Sequence, residues 1–306
     1  MFSLPSSTQM KPAAISSLRP WVAAGLLIVL ATAAPAFGST PPAAGVSGVA
    51  PPVDIVILGR AVYVGLMLLT MGVAWFLLLI PVPAAITVFL RRLLAAGAVG
   101  GLLVGAFNVQ QLNLLAAAGF GLLLAASWRE HWALLLGGAL ALATSRAFIG
   151  HPASLEPAAV LMPLMILHVS CAAYWLGSLW PLHRVLGREA PVAAAAVVNR
   201  FSRLAVAAVG TLALVGVVTA LIHLAWPIAL LKTWYGQLLI MKFTWFTVLM
   251  SVAAWHKLKL SPRLDAGDVG AARHMRWGIR LEGAIMLLVV LLSALLASTP
   301  PAALPP

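Results

Sequence analysis

Residues 162–182 read MPLMILHVSCAAYWLGSLWPL, a run without a single Asp, Glu, Lys or Arg. A stretch of this length with no charge is a candidate to cross a bilayer as a helix, because the hydrocarbon core of about 30 Å needs about 20 apolar residues. The same run carries Met162, Met165, His168 and Cys171 at three-residue intervals. Lipid contact does not explain such a set, and those are the side chains that soft metal ions prefer.

The composition extends the first reading to the whole chain. Of 306 residues, 62% are hydrophobic and 8% charged, and the mean hydropathy is +1.04. Soluble domains carry about 25% charged residues, so this mixture could not cover a water-facing surface. Eight apolar runs are expected to span the membrane, at about 53–80, 93–110, 111–127, 131–150, 159–182, 203–226, 234–256 and 279–298. The third is the weakest, being short and glycine-containing, and a re-entrant hairpin with its neighbour is the alternative. The runs are continuous rather than alternating, which favours helices over barrel strands. The expected fold class is therefore all-α, a polytopic transmembrane helical bundle of about eight spans behind an N-terminal signal peptide.

Ahead of those runs, Lys11 and Arg19 precede WVAAGLLIVLATAAPAFG, with small residues at Ala34 and Ala36. A basic start, a short apolar stretch and small residues before the cut describe a signal peptide over 1–36, with an uncleaved anchor as the alternative. Residues 37–52, rich in Pro, Ala and Gly, read as an exported linker. Residues 53–298 form the membrane domain and 299–306 a short tail.

The formal charge is +12, but its distribution argues against a nucleic-acid partner. Arg91, Arg92, Arg129, Arg184, Arg188, Arg200, Arg203, Lys257, Lys259, Arg263, Arg273, Arg276 and Arg280 fall in or beside alternate connections, whereas the others hold little beyond Lys232. That bias orients membrane proteins with the basic side inward. The expectation is an inner-membrane protein whose mature N- and C-termini both face the periplasm. The connection at 183–203 mixes apolar and basic residues and suits a short interfacial helix. The one at 257–280 is the most polar stretch and reads as a loop with a basic face toward anionic lipid.

Within the spans, few residues can carry chemistry. His151 follows span four on the outer side, and His168 lies roughly 13 Å inside span five. Met162 and Met165 share its approximate face, Cys171 drifts from it, and Met67 and Met71 form an i, i+4 pair on span one. His223 stands near the outer end of span six. Thioether and imidazole donors favour copper, above all Cu(I), whereas a hard cation would want several carboxylates, and the chain has only seven acidic residues. Methionine also fills core gaps, so packing competes with ligation for each Met, and for Cys171. A polar ring at membrane depth is a functional candidate by default, which singles out His168.

Arg60 and Arg146 are close enough to the outer interface to snorkel. Lys242 is deeper and needs a partner or a polar cavity. Glu282, at the inner end of span eight, is a candidate coupling carboxylate or an interfacial residue. Trp175, Trp180, Trp226, Trp234 and Trp277 read as an interfacial belt. Gly65 with Gly72, and Gly210 with Gly216, read as sites of close helix approach. Cys171 is the only cysteine, so no intrachain disulfide forms. Walker A, GxGxxG, HExxH and CxxC motifs are all missing from the chain, which leaves nucleotide-driven and zinc-hydrolase chemistry unsupported.

Several segments together carry a family likeness: IGHPAS at 149–154, LHVSCAAYWLGSLWPL at 167–182, NRFSRLAVAAVGTLALVGVVTALI at 199–222, LLKTWYGQLLIMKFTWF at 230–246 and IRLEGAIMLLVV at 279–290. This ordered set resembles the CopD family of bacterial copper resistance and copper uptake membrane proteins. The likeness implies an eight-helix inner-membrane protein that moves copper inward from the periplasm, beside a separate periplasmic carrier of the CopC type. The family's histidine before span five and its histidine within it fall on His151 and His168. Its RFS run falls on Arg200, Phe201 and Ser202, its YGxLLxxK run on Tyr235, Gly236, Leu238, Leu239 and Lys242, and its late acidic position on Glu282. The lead into His151 departs from the family form, because TSRAFIGH puts Arg146 beside it.

The sequence-level expectation is a copper carrier rather than an enzyme, with His151, His168, Met165 and Met162 as principal ligands. Met67, Met71, His223 and Cys171 are possible additional ligands, and Lys242, Glu282 and Arg146 have structural or coupling roles. The rivals are a haem-binding redox protein with His168 and His223 as axial ligands, and a copper-presenting or assembly factor that does not transport.

Overall fold

Asp54 starts the first helix by accepting the Ile57 amide at 2.8 Å, the side-chain cap that an aspartate supplies to an unsatisfied helix N-terminus. The computed structural model describes residues 54–107, 112–129, 131–149, 158–223 and 228–299. The expected signal peptide, the linker, His151 and most of the tail lie outside these residues. Within them the chain is an all-α polytopic bundle with no strand. Its long helices are α1 (Ile55–Leu79), α2 (Ala84–Phe107), α3 (Leu114–Trp128), α4 (Trp132–Ala147), α5 (Ala158–Arg188), α6 (Pro191–His223), α7 (Trp234–Trp255) and α8 (Val269–Ser298). A single turn, Ala229–Lys232, precedes α7. A π-helical turn, His256–Leu260, and a short helix, Ser261–Asp265, follow it.

Six of these helices are long and apolar enough to cross a membrane; α3 and α4, with 15 and 16 residues, are shorter. At 1.5 Å per residue each short helix spans about 22–24 Å, less than the core of a bilayer. They form a close antiparallel hairpin. A Cβ on Gly119 would stand 2.9 Å from Leu142 Cγ, and one on Gly138 would stand 3.0 Å from the Gly119 carbonyl. Asn113 caps α3 by accepting the Ala116 amide and donates to the Ser145 carbonyl of α4 at 3.1 Å.

Helix limits move outward from the expected ones. The second begins at Ala84 rather than 93, the sixth at Pro191 rather than 203, and the eighth at Val269 rather than 279. Hydropathy marks the part of a helix that lies in hydrocarbon, but alanine-rich turns such as VAAAAVVN at 192–199 continue it into water. The connection at 183–203 is therefore two helix ends meeting at Glu189 and Ala190, not a separate interfacial helix. The stretch at 257–280 is likewise mostly helical. Its turn is made at Gly267 (φ 81°), where a left-handed backbone suits glycine, and at Asp268, which caps α8.

The centre of the molecule is the crossing of α1 and α5. A Cβ on Gly72 would lie 2.0 Å from the Ala173 carbonyl oxygen, and one on Gly177 would lie 2.4 Å from Gly72 Cα. The backbones touch there, which only small residues permit. Gly65 and Gly210 face open space, so among the glycines expected to mediate close approach it is Gly72 that does so, with Gly177 as its partner.

Alternating helices bring the basic residues to one end of the bundle, where RFS has a structural role. Arg200 Nε donates to the Leu79 carbonyl at 2.9 Å and so caps the last turn of α1. Phe201 stacks on Tyr174, ring centres 5.4 Å apart. Ser202 accepts from Lys257 Nζ at 3.0 Å. Three residues thus tie α6 to α1, α5 and the end of α7.

Candidate functional site

Opposite the basic end, a cavity of about 530 Å³ opens between α1, α5, α6, α7 and α8. On α5 its wall includes Leu161, Met165, His168, Ala172 and Trp175, a stripe spaced four, three, four and three, flanked by Val169 and Leu176. On α1 it is Arg60, Val64, Met67 and Leu68; on α7, Tyr235, Leu239, Lys242, Phe243, Phe246 and Leu249. Thr219 of α6, Met286 and Ser293 of α8 and Arg146 of α4 complete the polar and soft groups. Spacings of three and four return a helix to the same face.

That periodicity separates the sulfur-bearing residues of α5. A three-residue step falls about 60° short of a full turn, so the series from Met162 to Cys171 sweeps half of the helix circumference. Met165 and His168 line the cavity, whereas Met162 and Cys171, both half-buried, stand off its wall. On α1 the same holds for the methionine pair: Met67 lines the cavity, and Met71, one turn further, is fully buried in the core.

His168 is the polar group at depth. Its Nδ1 is buried and has no hydrogen-bond partner, an arrangement that costs free energy unless a ligand uses it. The ring points across the cavity toward α6, where a Cβ on Gly216 would be 4.0 Å from His168 Cε1. Lys242 is within electrostatic reach of His168. Among the described residues no group of three or more His, Cys, Asp or Glu comes together, and the described lining of the cavity holds no carboxylate. The soft donors on its wall are one imidazole, of His168, and three thioethers, of Met67, Met165 and Met286.

His151 lies outside the described residues, and the side chain of His223, at the last residue of α6, is not described either. Arg60 crosses the mouth, Nη1 donating to Ser298 Oγ of α8 at 2.6 Å. Glu282 is elsewhere. It is buried at the basic end, with Oε1 2.8 Å from His256 Nδ1. The ring of His256 lies flush on α8, because a Cβ on Gly278 would meet its Nε2 at 1.9 Å. Sequence reasoning missed this pair, although Gly278 and Glu282 share a helix face four residues apart. Nor do the tryptophans make one belt: Trp180 and Trp277 are exposed, but Trp234 is buried, and Trp175 sits edge-on to Phe246 at the inner end of the cavity. Tyr235 and Met286 also reach the cavity unforeseen, Tyr235 because it stands seven residues before Lys242, two turns along one face.

Comparison with known proteins covers part of the chain. Residues 195–296 match the family model described as Copper resistance protein D. The chain is 34% identical over 140 residues to Inner membrane protein YebZ of Escherichia coli (strain K12), which covers 44% of this chain and 47% of that protein. It is 27% identical over 174 residues to Copper transport protein CutJ of Bacillus subtilis (strain 168), 56% of this chain and 31% of that one. The matches thus span less than half the length of either relative. No solved structure matches the chain.

Proposed function

We propose that this chain, which is similar to the CopD family of membrane proteins over its C-terminal part, carries copper across the inner membrane, inward from the periplasm. What supports the reading is that His168, Met67 and Met165 all line one cavity. Copper is the cargo, and Cu(I) is the form that two thioethers and an imidazole suit. Each site on such a path has to hold the ion and also let it go, and a set of few neutral donors does both better than a closed cage of thiolates. His151 is the proposed first contact outside the membrane, His168 with Met165 and Met67 the second. Both termini face the periplasm in this reading, and a soluble carrier of the CopC type delivers the ion. No substrate bond is made or broken, so the protein acts as a carrier and not as an enzyme.

The test is copper uptake into vesicles of known orientation, together with metal analysis of the purified protein. Wild-type protein is expected to load copper and to move it inward, and His168→Ala to lose both while accumulating normally in the membrane. Full uptake by well-expressed H168A protein would remove the cavity from the path. A Soret band that disappears in H168A would instead mark a haem protein. Copper binding without flux would mark a presenting factor.

A further inference from the structure

The cavity has a feature that copper carriage leaves unused. Its charged lining is cationic throughout, with Arg60, Arg146 and Lys242 and no carboxylate among the described residues. These charges are layered. Counted along their helices, Arg60 is five residues into α1, Lys242 eight residues into α7, and Arg146 in the last turn of α4, all within about 12 Å of the end that holds Ser298. Deeper walls are apolar and aromatic, with Trp175, Phe246 and Leu249 toward the other end. Lys242 has no ion pair or hydrogen bond among the described residues, although an ammonium sunk in a membrane helix needs a partner.

The same cavity is open to the side. Helices α6 and α7 follow each other in the chain and both line it, yet they are not packed on one another: α6 leans on α5, and α7 on α8. Only 17% of the most apolar window of α6 is inside the protein, against 50% for α1, so the gap between α6 and α7 faces the bilayer.

We propose that this cavity binds a single-chain anionic amphiphile, a long-chain carboxylate drawn from the bilayer between α6 and α7, with its head on Lys242 and Arg60 and its chain against Trp175 and Phe246. Charge selects the head, since a neutral or cationic lipid would leave Lys242 without a counter-ion. Size selects one chain. About 530 Å³ falls within the 300–1,000 Å³ of ordinary small-ligand sites and does not hold a two-chain phospholipid. The site stands independently of the copper reading, and a carboxylate there would offset the positive charge around any cation that passes His168.

Trp175 provides the reporter. Full-length protein in detergent is titrated with a long-chain fatty acid brominated at its terminal carbon, and tryptophan quenching is followed. Saturable quenching that is lost in Trp175→Phe is expected, with at least tenfold weaker apparent binding for the methyl ester of the same acid, and for Lys242→Gln. The ester comparison uses wild-type protein, so it stands even if K242Q fails to fold. Equal quenching by acid and ester would overturn the proposal and reduce the signal to lipid partitioning. Displacement of the acid by acetate or inorganic phosphate at similar concentrations would also overturn it, because the cavity would then be a simple anion site.

Discussion

The α1–α5 crossing and the α6–α7 flank are built from the same kind of sequence, long apolar helices with glycines, and they pack in opposite ways. At the crossing, Gly72 and Gly177 remove the side chains that would hold the backbones apart, and the two helices touch. On the flank, Gly210 meets nothing and Gly216 meets only the edge of the His168 ring. A glycine on a membrane helix therefore marks a contact only when a neighbouring element faces it at the same depth, and a backbone contact only when that neighbour is small too. Close backbone packing is concentrated at the crossing, and the space for a ligand is left between those two helices and the flank.

Substitutions at matched glycines test this contrast most strongly. Gly72→Leu is expected to prevent accumulation or to cost more than the ~1–3 kcal/mol of ordinary overpacking, because the obstacle is backbone that cannot turn aside. Gly210→Leu should change stability by no more than about 0.5 kcal/mol. Thermal unfolding of both variants in detergent measures the difference, and similar losses would abolish the distinction between the two regions.

Gly278→Ala extends the packed region to the basic end. The added methyl would displace the His256 ring from α8, at an expected cost of about 1–3 kcal/mol in the same melts. On the open side, the expected effect is on function and not on stability. Met165→Leu should slow copper uptake several-fold at limiting copper with an unchanged melting temperature, since the volume is nearly conserved. Met71→Leu, one turn below the cavity wall, should leave uptake unchanged. If the two variants behave alike, the sulfur of Met165 is packing.

A further expected effect lies outside the membrane. Arg263 Nη2, 2.6 Å from Asp268 Oδ2, holds that carboxyl below its usual range; burial opposes the shift, and the Ala271 and Gly270 amides add to it. A depressed value means that the folded state favours the ionised form, so this contribution is present at neutral pH and lost as pH falls through the depressed value. Asp268→Ala is expected to cost about 1 kcal/mol as a lost helix cap at neutral pH. Melts in acid should show a smaller gap between variant and wild type.

Much of the candidate site was legible before the fold was known, in a specific way. An imidazole in a charge-free run is conspicuous because lipid offers it nothing, and His168 could be picked out on that ground alone. Lys242 could be recognised as needing a cavity for the same reason. The sulfur ligands could not be sorted, because three-residue spacing is ambiguous on a helix that repeats every 3.6 residues. The four candidates on span five include two that face the cavity and one on either side that does not.

By itself, the sequence determined that this chain is a helical membrane protein with one basic end, since composition and charge act through solvation and need no knowledge of neighbours. Which side chains meet was decided only by the tertiary structure. Contact depends on where helices cross and how each is rotated, and those follow from pairs such as Gly72 with Gly177, which lie far apart in the chain and close together in the bundle.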